Sequence, residues 1–184
     1  NEGPRIYNLF PLLAGPFPSW TPHLERARQM GFNWIFVNPV QRPGVSGSLY
    51  SILDHYELNP LLVGPKSGSP DEQLRRVILK AHGLGLRIMM DLVINHTAVD
   101  SPLVREHPAW FRRDESGQVI RPGAWENNNW VRWNDLAAVD NAASPDRHNL
   151  WQNWLSVVMH YATLGIDGFR CDAGYMVPHA AWKY

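Results

Sequence analysis

Arg87-Ile88-Met89-Met90-Asp91-Leu92-Val93 is a short apolar run preceded by Gly83 and Gly85 and followed at once by Ile94-Asn95-His96. Apolar residues at successive rather than alternate positions mark a strand buried on both faces. Upstream, Ser69-Pro70-Asp71-Glu72 is a capping box with proline at the first helical position. Leu74, Val77, Ile78 and Ala81 then recur at helical spacing, and Gly83 or Gly85 ends that helix. Further back, Arg5 to Phe10 reads as a first strand and Trp34 to Val37 as a second. Thr21-Pro22 opens the helix between them, and Gly31 closes it. Asn38 to Gly68, rich in Pro, Gly and Ser, reads as a loop. Downstream, Ser144-Pro145 opens a helix with Trp151, Trp154, Leu155, Val158 and Ala162 on one face, and Gly165 ends it. Ile166 to Asp172 is the fourth strand.

Apolar strands alternating with amphipathic helices imply a parallel sheet covered by helices. A closed barrel and an open doubly wound sheet both have this pattern. Asn38, Asp91, Asn95, His96 and Asp172 all fall at or just past the C-terminal ends of strands, where a barrel carries its chemistry, although open sheets use the same edge. No Gly-rich phosphate loop follows the first strand, which favours the barrel. Four strands are the first half of a (β/α)8 barrel. Residues 1–96 would hold strands 1–3 with their helices, and 144–184 the third helix, the fourth strand and the start of the next segment. Between them, 97–143 is too long for a structureless loop, and carries Trp110, Trp125, Trp130 and Trp133. It is expected to form an inserted subdomain.

Composition sets outer bounds. The 184 residues are 45% hydrophobic and 18% charged, which suits a chain with a sizeable core. A formal net charge of zero gives no field to recruit nucleic acid or an anionic membrane. The one cysteine, Cys171, excludes an internal disulfide. With no signal peptide in view, a cytoplasmic setting is expected. Nine tryptophans are the one excess, and they suit either a core or a cleft that stacks sugar rings.

The fourth strand ends in Gly168-Phe169-Arg170-Cys171-Asp172-Ala173. Residues i and i+2 of a strand share a face. Arg170 is therefore expected beside Asp172, its guanidinium keeping the carboxylate ionised and aimed. Retaining glycoside hydrolysis needs such an anionic nucleophile. The alternative is a structural Arg–Asp pair. Cys171 would face the other way, buried.

Three motifs in order resemble the α-amylase superfamily, glycoside hydrolase family 13. Asp91-Leu92-Val93-Ile94-Asn95-His96 is similar to its DxVxNH motif, and Gly168 to Ala173 to its GFRxDA nucleophile motif. Tyr50-Ser51-Ile52-Leu53-Asp54, with Leu58-Asn59-Pro60, resembles its YSxxDYxxINP variant. The resemblance implies that Asp172 forms a glycosyl-enzyme ester and that Arg170 holds it anionic. It implies that His96 hydrogen-bonds a sugar hydroxyl, that Tyr50 stacks beneath the sugar, and that Asp91 braces Arg170 or a neighbouring backbone. Asn95, with Asp135, would contribute to a calcium site. The plain alternatives are a core or capping His96, a packing Tyr50 and an Asn95 that caps local backbone. No organic cofactor is implied.

The chain also departs from the family pattern. Where α-amylases often carry a Lys-His pair after the nucleophile, this chain has Tyr175 and Met176, which disfavours internal cleavage of starch. Glu106-His107-Pro108-Ala109-Trp110-Phe111 and Asp114 to Pro122 resemble the insertion of glucan maltosyltransferases, and Trp133-Asn134-Asp135-Leu136-Ala137 fits the same branch. The family's acid–base Glu comes from a fifth strand. Glu57, Glu72, Glu106 and Glu126 fall in loops or helix starts and match no such position. The expected activity is thus a retaining hydrolase or transglycosylase on α-1,4-linked glucose oligosaccharides, with maltosyl transfer from an activated donor as one alternative. The 184 residues by themselves are expected to be inactive. Non-enzyme alternatives are a carbohydrate-binding module, for which the tryptophans speak, and a catalytically silent amylase-like partner protein. Both retain no need of Arg170 and Asp172. The substrate expected is an α-glucan or maltooligosaccharide, with no nucleic acid, no membrane and an open oligomeric state.

Overall fold

The computed structural model describes residues 3–65 and 68–184. In chain order it holds β1 (Ile6–Leu9), α1 (Pro11–Ala14), α2 (Thr21–Gln29), β2 (Trp34–Val37), β3 (Gln41–Pro43) and β4 (Ile52–Leu58). Next come α3 (Pro70–Gly83), β5 (Arg87–Leu92), β6 (His96–Ala98), α4 (Pro102–Glu106), β7 (Gly123–Glu126) and β8 (Asn129–Arg132). Then follow β9 (Leu136–Ala138), α5 (Arg147–Leu164), β10 (Gly168–Cys171) and α6 (His179–Trp182). The chain divides into two compact units: Asn1–Val40, Tyr56–Leu92 and Val158–Cys171 form one, and Gln41–His55, Val93–Val157 and Asp172–Tyr184 the other. The segment 97–143 lies wholly in the second. No helix among the described residues is long and apolar enough to cross a membrane.

The first unit is built on a parallel four-stranded sheet in the order β1-β2-β5-β10. Strands neighbour one another in sequence order and all run the same way. A doubly wound sheet reverses its order at a switch point, and no reversal occurs here. Leu9, Ile35, Val37, Ile88 and Met90 are buried on the strands, and Leu24, Ala27, Leu74, Val77, Ile78 and Ala81 on α2 and α3. The capping box is formed as the residues predict. Ser69 Oγ accepts from the Glu72 amide at 3.3 Å, and Glu72 Oε2 accepts from the Ser69 amide at 2.9 Å. Asp167 ties the start of β10 to β5. Its Oδ2 accepts from the Ile88 amide at 2.8 Å and lies 2.8 Å from His82 Nε2, and its amide donates to the Ile88 carbonyl at 2.9 Å.

Several expectations are corrected. The stretch 38–68 is not all loop, because it contains β3 and β4, paired in a two-stranded sheet. Polar Asp54, His55 and Glu57 break the apolar pattern of β4, and the connection after β3 takes up the Gly44, Ser46, Gly47 and Ser48 that suggest a loop. Glu57 consequently lies on a strand. On α5 the buried positions are Leu150, Trp154, Val157 and Tyr161, while Leu155 and Ala162 are exposed. Apolar residues lie around much of this helix, so spacing alone leaves its rotation undetermined. Cys171 is exposed, because β10 is an edge strand of the sheet.

In the second unit β6 pairs antiparallel with β9, and β7 with β8. Buried and half-buried indoles are tied to polar partners, as amphipathic side chains in a core require. Trp110 Nε1 donates to Asp146 Oδ2 at 2.8 Å, Trp154 Nε1 to Asn141 Oδ1 at 3.1 Å, and Trp151 Nε1 to the Asn141 carbonyl at 3.1 Å. Asn141 Nδ2 donates in turn to the Ile94 carbonyl at 2.8 Å, which fixes the residue before Asn95 and His96. Part of the tryptophan excess is therefore core.

Candidate active site

Within the second unit Tyr50, Asn95, His96, Asp135 and Asp172 line one cleft of about 230 Å³. Ser48, Trp133, Leu136 and Ala173 complete its wall. Residues from four separate stretches of chain meet here, the fourth being Trp133 to Leu136. Asn95 and His96 follow β5 by a few residues, Asp172 immediately follows β10, and Tyr50 precedes β4. Strand β10 ends at Cys171, so Asp172 belongs to a turn and the same-face argument from Arg170 does not extend to it. The next residue, Ala173, has left-handed backbone at φ 43, ψ 39. That is an unusual conformation for a residue with a Cβ, of the kind that concentrates at functional sites.

His96 is 3% exposed, and its Nε2–H donates to the Tyr50 carbonyl at 3.1 Å. A carbonyl can only accept, which places the proton of the neutral ring on Nε2 and leaves a lone pair on Nδ1. That Nδ1 is buried with no partner among the described residues. Burial lowers the His96 pKa, against the opposing pull of the Asp172 charge, the Tyr50 carbonyl and the Asp135 charge. Asn95 Nδ2 donates to Met176 Sδ at 3.6 Å, while its Oδ1 is buried without a partner among the described residues. Met176, where a Lys-His pair is common in the family, thus holds the site's asparagine, and Tyr175 is 85% exposed. Asp135 Oδ2 accepts from Ser46 Oγ at 2.7 Å.

Calcium takes six to eight oxygen ligands. Asn95 and Asp135 offer only a few, one of which already accepts from Ser46, and no group of three His, Cys, Asp or Glu side chains suited to a metal occurs among the described residues. These residues by themselves do not fit a calcium centre.

In the first unit Arg170 Nη1 donates to Asp91 Oδ1 at 2.8 Å. The Asp91 carboxylate is fully buried and the Arg170 side chain half-exposed. Asp91 and Arg170 are thus an ion pair. Removing one partner of such a pair strands a buried charge, which costs several kcal/mol when both are buried and less here.

His55 was not singled out by the sequence reading, although it stands where the YSxxDY pattern has its second tyrosine. It is 3% exposed, its Nε2–H donates to the Val93 carbonyl at 3.1 Å, and its ring lies 5.0 Å from that of Trp154. Burial pulls its pKa down from 6.5 to about 4. The unfolded chain then binds a proton between those values that the folded chain refuses, so stability is full above the unfolded pKa and falls as pH drops toward the folded one. Going from about pH 7.5 to about pH 5 should cost about 2 kcal/mol through His55. Urea unfolding at both values, on the wild type and on His55→Gln, measures it: the variant should lose most of that pH dependence.

Parallel strands in nearest-neighbour order, with a carboxylate and a histidine placed just past their C-terminal ends, make up the site-bearing half of a (β/α)8 barrel. Residues 5–116, well over half of the chain, match the family described as "Glycogen debranching enzyme, glucanotransferase domain". The chain belongs to this family, within the α-amylase superfamily. It is 26% identical over 180 residues to the alpha-1,4-glucan:maltose-1-phosphate maltosyltransferase of Myxococcus xanthus, covering 90% of this chain and 26% of that protein. To alpha-amylase MalA of Haloarcula japonica it is 29% identical over 175 residues, covering 91% of this chain and 24% of the relative. Among solved structures it resembles an alpha-amylase from Lactobacillus plantarum, with a TM-score of 0.79 and 28% identity over 97% of this chain and 40% of that one. The chain spans about a quarter of the length of those two curated relatives.

Proposed function

We propose that this chain carries the nucleophile side of a retaining glucan-active site, in a hydrolase or transglycosylase acting on α-1,4-linked glucose oligosaccharides. The observation that carries the reading is the meeting of Asp172, His96 and Tyr50 in one cleft. Asp172 would attack the anomeric carbon as the glycosidic bond breaks, and the leaving oxygen would take a proton from a general acid. Water or a sugar hydroxyl would then displace the aspartyl ester, giving up its proton to the same group acting as base. His96 stays neutral through its burial, and its Nδ1 lone pair would accept a hydrogen bond from a sugar hydroxyl. Tyr50 would lie against the sugar. Arg170, two residues before the nucleophile, is fixed by Asp91. Among the described residues no Glu lines the cleft, and the reading takes the acid–base carboxyl from residues outside these 184.

Transfer from an activated donor is the second reading. It is favoured by Met176 and Tyr175, which put no cation where a leaving sugar would be gripped, and by the maltosyltransferase relatives. Incubation of the complete protein with maltose 1-phosphate, maltoheptaose and soluble starch tests both readings. Turnover of the phosphate donor or of the short oligosaccharide should outpace that of starch. Rapid release of random internal fragments from starch would rule out the transfer reading, and inertness toward all three would end the glucan-active one.

A further inference from the structure

The turn that carries Tyr50 has no apolar anchor at its tip. It joins β3 to β4 over residues 44–51, and the Gly44 amide closes it by donating to the Ser51 carbonyl at 2.7 Å. Gly44, Leu49 and Ser51 are buried, but Val45, Ser46, Gly47 and Ser48 are all exposed, Val45 at 80%. With no side chain buried there, packing leaves the tip loose and polar contacts have to fix it. Two carboxylates supply them. Asp100 Oδ2 accepts from the Val45 amide at 3.0 Å, and Asp135 Oδ2 accepts from Ser46 Oγ at 2.7 Å. Hydrogen bonds to an ionised acceptor are the stronger kind. Gly44 makes room for the first of them: a Cβ there would strike Asp100 Oδ1 and would lie 2.5 Å from the Ala98 Cβ. The backbone of the turn therefore rests directly on the Asp100 side chain.

Both carboxylates come from one small sheet. Strands β6 and β9 pair antiparallel with Ala98 opposite Leu136, and the Val99 amide extends the ladder by donating to the Asp135 carbonyl at 2.8 Å. Asp100 thus leaves the end of β6 beside the start of β9, where Asp135 stands. The same corner holds the other side of the turn. Ser51 Oγ donates to the Asp135 carbonyl at 3.2 Å, and Ser101 Oγ donates to the Leu53 carbonyl at 2.7 Å. His96, the first residue of β6, donates to the carbonyl of Tyr50 itself. One two-stranded sheet therefore grips the turn at its tip, at its closing end and at the residue it presents. Ser48, Tyr50, His96 and Asp135 line the cleft, whereas Asp100 and Ser46 lie outside its wall. Whatever Asp100 and Ser46 do for the cleft, they do by placing the turn.

We propose that Asp100 and Ser46 are positioning residues: their bonds hold the tip of the turn, and the tip sets the Tyr50 ring in the cleft. The proposal rests on the glucan-active reading above. Displacing a contact group by about 1 Å costs up to roughly 10²-fold in rate, so a slack turn should be visible in turnover. The complete protein acting on maltoheptaose tests it. Asp100→Ala should lower kcat about tenfold, the scale of one hydrogen bond to a charged group. Asp100→Asn, whose Oδ1 can still accept from the Val45 amide, should stay within about twofold of the wild type. Ser46→Ala loses one exposed hydroxyl, so it should fold, and should lower kcat about threefold. Tyr50→Ala separates placement of that ring from a general loss of order: added to it, Asp100→Ala or Ser46→Ala should lower kcat little further. Should Asp100→Ala fail to fold, Ser46→Ala gives the same comparison. Wild-type kcat in both single variants, losses that multiply fully with that of Tyr50→Ala, or an Asp100→Asn as impaired as Asp100→Ala would overturn the positioning role and leave the cleft reading standing. A wild type inert toward maltoheptaose would overturn the glucan-active reading, and the positioning role with it.

Discussion

Asp172→Asn in the complete protein lowers kcat on the order of 10⁴-fold or more, the scale seen when a group central to covalent catalysis is removed. Asparagine keeps the shape and half of the hydrogen-bonding capacity but cannot form the ester, so the loss falls on chemistry and glucan binding persists. The assignment rests on where the residue lies: in the cleft with His96 and Tyr50, directly after β10. A fluorinated glycosyl donor, which slows breakdown of the intermediate, should leave its label on Asp172 in a peptide mass spectrum. A label on Asp135, the other carboxylate of the cleft wall, would reassign the nucleophile.

His96→Ala and Tyr50→Ala are each expected to cost about 2–4 kcal/mol of transition-state stabilisation, the magnitude of losing a well-placed contact to developing charge. Because His96 is held rigidly by the Tyr50 carbonyl and is buried, its Nδ1 pays little reorganisation when a hydroxyl arrives. The effect should therefore appear mainly in kcat. His96→Gln, which can donate to the Tyr50 carbonyl and still offer an acceptor, should recover part of it. Variants that raise KM and leave kcat intact would reduce both residues to ground-state contacts.

Tyr50, Asn95, His96 and Asp172 were legible through the family-like motifs that contain them, and the structure brings them into one cleft. Strand β2 falls at Trp34–Val37, as its apolar run predicts, and β5 stops one residue short of the predicted end. The capping box of α3 specifies its own partners. What resisted reading depends on distant chain. Nothing in the order of residues says that Met176 meets Asn95, 81 positions away, or that Ser46 meets Asp135. Strand β4 was hidden because its polar residues imitate a loop, and His55 escaped notice because a histidine within such a strand carries no periodic signal. The turn at Asp172 was missed for a related reason: an apolar run shows where a strand lies better than where it stops.

The carboxylate of Asp167 has a consequence for what the chain can tolerate. By holding the Ile88 amide and His82 just before β10 begins, it sets the zero from which later residues are counted, and Asp172 is the fifth from it. Side chains on a strand alternate with every residue, so gaining or losing one position among 168–171 would turn the whole run over. The Asp172 carboxylate is thus placed by arithmetic along the backbone as much as by its neighbours. Exchanging side chains in that interval leaves the count intact, whereas an inserted or deleted residue does not.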